Sequence, residues 1–157
     1  YDFSLVRTAS VRSSEHLFEI MREMGENRLT VIPVTDQEGN YLGIVSQNMI
    51  LRVFSASTSF AMPGGVIIME MNRRDYSLTA IARVVEEESA RILTSMVTSS
   101  PDSELLEVTI KINRDDATRI VAALERMGHT IKQTFADDAV SDSLKERYDS
   151  LMNYLSI

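Results

Sequence analysis

The sequence of 157 residues contains no cysteine, no tryptophan, two histidines and three prolines. Without cysteine the chain cannot form disulfides or thiolate metal sites, and such a composition is typical of a cytoplasmic protein. All apolar runs are shorter than the roughly 18 to 20 residues that a membrane span needs. A net charge of −7 gives no excess of Lys and Arg for contacts with phosphates. We therefore expect a cytoplasmic protein that binds neither a membrane nor nucleic acid.

Motifs for catalysis are missing as well. The two histidines, His16 and His129, have no histidine or paired carboxylate nearby at the spacing of metal ligands. The sequence has no glycine-rich phosphate loop and no serine in the setting of a nucleophile elbow. We expect structural or surface roles for both histidines, no metal, no cofactor and no catalytic residue.

The segment 29–51, LTVIPVTDQEGNYLGIVSQNMIL, carries the strongest pattern in the chain. Two apolar stretches rich in β-formers bracket the polar turn 37–40. Gly39 tolerates positive φ, so this turn can reverse the chain. The residues after the second stretch follow helical spacing, with Ile50 and Val53 on one face. The pattern predicts a β-hairpin that leads directly into a helix.

A helix is predicted before this hairpin. Ser13 or Ser14 is the expected N-cap, and Gly25 is expected to end the helix in a left-handed conformation. Residues 8–11 are suited to a short first strand. Residues 1–60 are therefore predicted to form one β-α-β-β-α unit.

This unit resembles a CBS motif along its whole length. CBS motifs are regulatory modules that usually occur in tandem and sense adenosyl ligands. The resemblance implies that the strand Val31-Ile32-Pro33 presents backbone groups and apolar surface to an adenine ring. It also implies that Ser46 offers a hydroxyl to a phosphate or ribose oxygen at the N-terminus of the next helix. The family pattern has an Asp three residues later for the ribose hydroxyls, and this sequence has Met49 there.

We count one CBS motif, although the family normally pairs two through their sheets. The chain opens with Tyr1 and not with Met, so we expect a fragment whose first motif lies upstream, or two chains that supply one motif each. An unpaired motif leaves an apolar face, expected to include Ile50, Val53 and Phe54, without its usual partner. We therefore expect a homo-oligomer, either a dimer or a larger assembly.

The sequence changes character after this unit. Residues 55–59 are small and polar, which is typical of a linker, and we place a boundary near residue 60. Residues 62–136 then follow the order β-α-β-β-α-β, with Asn113 and Asp116 as the expected cap of the second helix. This order predicts a ferredoxin-like domain, so the predicted fold class of the chain is α+β.

The second segment resembles an ACT domain in its size, its pattern and its position after a CBS motif. The resemblance implies an amino-acid-like effector at the turn between the first strand and the first helix. The residues of that turn with suitable polar groups are Asn72, Asp75, Tyr76 and Ser77. ACT domains usually carry a glycine in this turn, and this sequence has none there. The order of the two segments is similar to that of the bacterial CBS–ACT regulatory proteins of the acetoin-utilisation group.

The last segment, residues 137–157, is predicted to form an amphipathic helix capped by Ser141 or Asp142. About fourteen residues are marginal as an isolated helix in water, so we expect it to pack on its own domain or on a partner chain. Its apolar stripe consists of Leu144, Tyr148, Leu151, Met152 and Leu155.

The leading hypothesis is a non-catalytic regulatory module from a bacterium. It would sense a small molecule, an adenosyl ligand or an amino-acid-like effector, through the packing of an oligomer. The rival hypothesis is a ligand-free structural dimerisation module. Met49 and the missing turn glycine favour the rival, because both depart from the ligand-binding patterns of the two families.

Overall fold

The structure is a computed structural model that describes residues 9–100 and 103–136, apart from the side chain of Thr58. Its helices and strands are arranged around two separate sheets, so the predicted α+β class is confirmed. The chain divides into two compact units between Ser57 and Thr58. The predicted helix over residues 141–157 lies outside the described residues. None of the helices in the described part has the length and apolarity needed to cross a membrane.

The first unit is a three-stranded sheet with two helices. Strand β1 pairs parallel to β2, and β2 pairs antiparallel to β3. The fully buried side chains are few: Val11, Met24 and Ile32. The elements are β1 (Val11–Arg12), α1 (Leu17–Glu26), β2 (Val31–Thr35), β3 (Tyr41–Ser46) and α2 (Gln47–Ala56).

The N-terminus of α1 differs from the prediction. Its N-cap is His16, whose Nδ1 accepts a hydrogen bond from the backbone N–H of Phe18 at 3.2 Å. The prediction of Ser13 or Ser14 as the cap is therefore wrong. An imidazole nitrogen satisfies the kind of unpaired helix N–H that a serine hydroxyl would satisfy, and the helix begins two or three residues later than predicted.

The C-terminus of α1 also differs from the prediction. Gly25 lies inside the helix, and the left-handed residue is Arg28 with φ 53°. The backbone N–H of Leu29 donates to the carbonyl oxygen of Met24 at 2.8 Å, which is the longer hydrogen bond of a Schellman motif. Leu29 then packs against the core of the first unit. The position of the helix end is therefore set by this tertiary contact and not by the conformational freedom of Gly25.

The second unit is a four-stranded antiparallel sheet with the strand order β5-β6-β4-β7. This is the split-βαβ order predicted from the sequence. Residues 55–59, which we predicted to be a linker, instead include the end of α2 and the start of a short helix, α3. The elements are α3 (Thr58–Ala61), β4 (Val66–Asn72), α4 (Leu78–Glu87), β5 (Ile92–Thr98), β6 (Leu105–Ile112), α5 (Thr118–Arg126) and β7 (Thr130–Phe135).

Strand β6 shows how this sheet is made. Its buried side chains, Leu106, Val108, Ile110 and Ile112, alternate with half-buried polar residues, as the sequence predicted. They form one core with alternate residues of β4 and with the apolar faces of α4 and α5. Both helices therefore cover the same face of the sheet.

The entry to β4 depends on glycine. Gly64 has φ 152°, and a Cβ there would lie 1.9 Å from the carbonyl oxygen of Ile112. The next backbone N–H, of Gly65, donates to the carbonyl oxygen of Arg114 at 2.7 Å. A side chain at residue 64 would therefore push β4 away from β6.

The predicted cap of helix α5 is wrong in part. Helix α5 begins at Thr118, and Asp116 Oδ1 accepts a hydrogen bond from the backbone N–H of Thr118 at 3.0 Å. Asn113 does not take part, because its Oδ1 accepts from the backbone N–H of Arg91 at 2.7 Å. Asn113 therefore ties the start of β5 to the end of β6.

Candidate functional site

The β2–β3 turn sets the register of the first sheet. Asp36 Oδ1 accepts a hydrogen bond from the backbone N–H of Asn40 at 2.7 Å, and Asp36 Oδ2 accepts from Asn40 Nδ2 at 2.9 Å. The side-chain bond from Asn40, with the backbone bond second, lowers the pKa of Asp36 below its ordinary value. Gly39 takes φ 86° between them. This closed turn holds the two strands in one alignment.

That alignment leaves one face of the hairpin open. Ile32 pairs with Val45, and both side chains face the core of the first unit. Because side chains alternate along a strand, the neighbouring positions lie on the other side of the sheet. We call this surface the β2–β3 face; its residues are Val31, Pro33, Leu42 and Ile44. Val31, Leu42 and Ile44 are exposed, Ile44 by 51%, and Pro33 is half-buried.

The β2–β3 face ends at the N-terminus of α2. Ser46, paired with Val31, is the N-cap, and its Oγ accepts a hydrogen bond from the backbone N–H of Met49 at 3.3 Å. The Met49 side chain is 49% exposed in the first turn of this helix. An apolar surface therefore adjoins a hydroxyl and the positive end of a helix dipole.

A family comparison bears on this arrangement. The CBS domain family model matches residues 5–56, which end at the last residue of α2. The chain therefore carries a CBS domain. CBS domains are regulatory modules that bind ligands, and they are not catalytic. No curated protein matches the chain.

The five residues that were predicted to form the ligand site of the CBS domain do not all lie on one surface. Val31 and Pro33 lie on the β2–β3 face, and Ser46 and Met49 lie at its end. Ile32 is fully buried in the core, so its side chain is turned away from this face. Four of the five candidates are therefore brought together on one surface.

The apolar face that was predicted to lack a partner was expected to include Ile50, Val53 and Phe54, and the structure agrees only in part. Ile50 and Phe54 are half-buried, and Ile50 packs against the core of the CBS domain. Val53 is exposed. The prediction that Ile50 belongs to an uncovered face is wrong, because helical spacing turns it toward the sheet. The exposed apolar sheet surface is the β2–β3 face.

The turn between β4 and α4 contains the second group of candidates. Asn72 Nδ2 donates to Asp75 Oδ2 at 3.3 Å, and the Asp75 backbone N–H donates to the Asn72 carbonyl oxygen at 3.0 Å. Ser77 is the N-cap of α4, since its Oγ accepts from the backbone N–H of Ala80 at 3.2 Å. Tyr76 packs against the second core. Asn72 and Asp75 thus remain as the polar groups that can face a ligand.

A cavity of about 200 Å³ adjoins this turn. Asn72 and Asp75 line it together with His129, which follows the left-handed Gly128. The Nε2 atom of His129 is buried and has no hydrogen-bond partner among the described residues. A buried imidazole nitrogen of this kind needs a polar group from water or a ligand. Across the described ranges, no three acidic or histidine side chains cluster as metal ligands.

Sequence reasoning missed His129 as part of this cavity. It predicted a structural or surface role, because no ligand-spaced partner is near in sequence. The antiparallel pairing of β7 with β4 brings His129 to the end of β4, with Thr130 opposite Glu70. No sequence signal gives that register, so only the three-dimensional structure finds the cavity.

Proposed function

We propose that the CBS domain is a regulatory half-site that pairs through the β2–β3 face with a second CBS motif and holds an adenosyl ligand beside Ser46. The observation that carries the proposal is the continuity of this exposed apolar face with the N-terminus of α2. The complete module would be a homo-oligomer, in which ligand and packing are thermodynamically linked. The cysteine-free sequence supports a cytoplasmic setting.

The apolar side chains explain why pairing is needed. Ile44 is exposed by 51% and pairs with Pro33 across the hairpin. Burying such side chains against a second copy removes apolar surface from water, at about 25 cal/mol per Å². An adenine ring held between two copies would use the same surface, with Val31 beside Ser46.

The polar half of the site is incomplete. The Ser46 hydroxyl uses a lone pair for the N–H of Met49 and keeps its own proton for a phosphate or ribose oxygen. Met49 offers a thioether, which is a weak acceptor and cannot hold two ribose hydroxyls. The proposal therefore predicts weak adenosyl binding that an acidic residue at position 49 would strengthen.

The test is a thermal-shift titration with AMP, ATP and S-adenosylmethionine. A ligand at about 100 times its Kd stabilises the folded state by roughly 2.7 kcal/mol, which corresponds to several degrees. Met49→Asp is expected to enlarge the ligand-induced shift. Asn48→Asp is the matched control, because it adds the same charge to the same helix turn at a different position. The quantity to compare is the difference in melting temperature with and without ligand for each variant. The melting temperature without ligand is not informative, because either carboxylate also stabilises the helix through its dipole.

Ser46→Ala separates a ligand contact from a helix cap. The matched variant is Ser77→Ala, which removes a cap of the same geometry in the second unit. Ser46→Ala alone is expected to shrink the ligand-induced shift. If neither the wild type nor Met49→Asp shifts with any adenine compound at millimolar concentration, the adenosyl proposal is wrong.

We also propose a separate effector site in the second unit, as expected of an ACT-like domain. The support is the cavity beside Asn72 and Asp75, with His129 among the residues that line it. A carboxylate, an amide and an imidazole suit the amino and carboxylate groups of an amino acid. Asp75→Asn and His129→Gln should each reduce the thermal shift given by an amino acid that stabilises the wild type. An absence of shift across all twenty amino acids would contradict this part of the proposal.

The ligand-free dimerisation module remains a second candidate function. Met49 favours it, because this side chain removes the ribose acceptor from an otherwise well-formed surface. The two functions differ in one result. A structural module is oligomeric, and its melting temperature does not shift with adenosyl compounds or amino acids. A sensor is also oligomeric, but its melting temperature shifts with one of these ligands.

A further inference from the structure

The cavity beside the β4–α4 turn has charged groups of one sign in its lining. Its walls come from the end of β4, from the β4–α4 turn and from the turn between α5 and β7. The described residues that line it include two carboxylates, Glu70 and Asp75, and include neither Lys nor Arg. Its volume of about 200 Å³ is below the range for drug-sized ligands. A ligand of this cavity is therefore small, and no cationic side chain of the lining can pair with it.

Asp75 is the carboxylate that is open to a ligand. Its side chain is exposed, and its Oδ2 accepts a hydrogen bond from a neutral group, Asn72 Nδ2, at 3.3 Å. Within the described part of the chain, Asp75 has no ion pair. Arg73 lies in the same turn, but its Nη2 donates to Ser99 Oγ at 3.3 Å. The negative charge of Asp75 is therefore left without a counter-ion.

The charges next to the cavity are negative in sum as well. A carboxylate oxygen of Glu70 lies 3.2 Å from Lys132 Nζ, and one of Glu107 lies 3.1 Å from the same atom. In this Lys132 ion cluster one positive and two negative charges leave a net charge of −1. The ammonium group of Lys132 is therefore already shared by two carboxylates and is not available to an anionic ligand.

Helix α5 contributes to the same negative potential. The helix ends at Arg126, and the residues that follow it, Met127, Gly128 and His129, line the cavity. The C-terminal end of a helix carries a partial negative charge, which favours cations nearby. Arg126 is not among the lining residues, and its Nε donates back along the helix to the carbonyl oxygen of Ala122 at 3.3 Å. The Asp75 carboxylate and the end of α5 thus favour a ligand of the same charge.

We infer that the effector of this cavity carries a net positive charge and, among amino acids, is one with a cationic side chain, such as lysine. This inference rests on the effector site proposed above for the second unit and adds the chemical class of its ligand. The side-chain ammonium group would bind Asp75, and the amide oxygen of Asn72 remains to accept a second hydrogen bond. A neutral amino acid brings no net charge to this negative site, and an acidic one brings charge of the wrong sign.

The test is isothermal titration calorimetry of the full chain with L-lysine and with L-norleucine, which lacks only the terminal ammonium group of lysine. We expect lysine to bind at least about fivefold more tightly than norleucine, because one ion pair with an exposed carboxylate can give an effect of this size. L-Glutamate should bind more weakly than either. Raising NaCl from about 50 mM to about 500 mM should reduce the ratio of lysine to norleucine affinity, because salt screens exposed charges.

Asp75→Asn tests whether this carboxylate holds the ammonium group. The substitution removes the charge and keeps an oxygen for the hydrogen bond from Asn72, and it should make the affinities for lysine and norleucine equal. Asp115→Asn is the matched control, because Asp115 precedes α5 at the opposite end of that helix and lines a different cavity. This variant should keep the wild-type ratio. If Asp75→Asn does not fold, the salt series on the wild type still decides the inference.

The outcomes separate this inference from the effector site on which it rests. If the chain binds norleucine or glutamate as tightly as lysine, the site exists but its ligand is not selected by charge, and the inference alone is overturned. A preference for lysine that persists in Asp75→Asn, or that salt leaves unchanged, would also overturn it. Binding of none of the twenty amino acids would contradict the effector site itself, and the inference with it.

Discussion

The two units of this chain hold themselves together to different degrees. The CBS domain fully buries Val11, Met24 and Ile32, and it leaves the apolar β2–β3 face exposed. The second unit buries a continuous core that joins strands β4 and β6 with helices α4 and α5. A small unit with so little buried apolar surface is marginally stable by itself. We therefore predict that the stability of the CBS domain depends on whether a partner covers its open face, whereas the second unit has an extended core of its own.

This difference suggests how a regulatory signal would act. A unit that gains its stability from an interface is sensitive to anything that binds at that interface. A unit with a complete core changes little when a neighbour is lost. The same comparison therefore predicts that the CBS domain carries the adenosyl-dependent response.

The largest expected effect comes from the same substitution made in both units. Ile110→Ala removes a fully buried side chain from the second core and should cost about 2–5 kcal/mol of unfolding free energy. Ile44→Ala removes a half-exposed side chain from the β2–β3 face and should cost less than about 1 kcal/mol in dilute protein. Urea denaturation, with hydrogen exchange of peptides from each unit, measures both values. An equal loss of unfolding free energy for both variants at low protein concentration would contradict the difference proposed between the two units.

The two helix caps should give smaller and equal effects. Ser46 and Ser77 accept backbone hydrogen bonds at 3.3 and 3.2 Å in their respective units. Each serine-to-alanine change should cost about 1 kcal/mol, which is the usual value for an N-cap. The same denaturation experiment without ligand checks this. A Ser46→Ala cost well above that of Ser77→Ala would show that Ser46 does more in the ligand-free protein than cap a helix.

The smallest expected effect is a pH dependence specific to the second unit. Hydrogen bonds to Glu107 and Glu70 raise the pKa of Lys132 above its ordinary value of 10.5. A raised pKa in the folded state means that this stabilisation is complete below 10.5 and is lost as pH rises through the folded value. Lys132→Gln should therefore flatten the alkaline loss of stability, measured by urea midpoints between pH 9 and 12. An unchanged slope would show that the cluster does not contribute.

Local patterns predicted much of the fold. The alternation in β6, the β2–β3 hairpin and the helix that follows this hairpin each depend on neighbours within a few residues, so the sequence contains the information. The end of α1 was wrong because a tertiary contact of Leu29 selects Arg28 for the left-handed position. Periodicity shows which residues share a face, but not which face stays uncovered.

The candidate site was predictable only in its local parts. The segment that carries Val31, Pro33 and Ser46 follows a linear motif, and the hairpin register then brings these residues onto one surface. The cavity at His129 and the Lys132 ion cluster join residues from strands far apart in sequence. Their formation depends on long-range strand register, which composition and spacing do not encode.

Sedimentation equilibrium tests the central claim most directly, because it measures whether the β2–β3 face pairs two chains. The wild type is predicted to have a mass of at least two 17.7 kDa chains. Ile44→Asp should reduce it to one chain, since the charge would be buried without a partner. Leu51→Asp puts the same charge on an exposed apolar residue of α2, outside the β2–β3 face, and should leave the wild-type mass unchanged. A wild-type mass of a single chain at all concentrations up to about 100 µM would contradict the account.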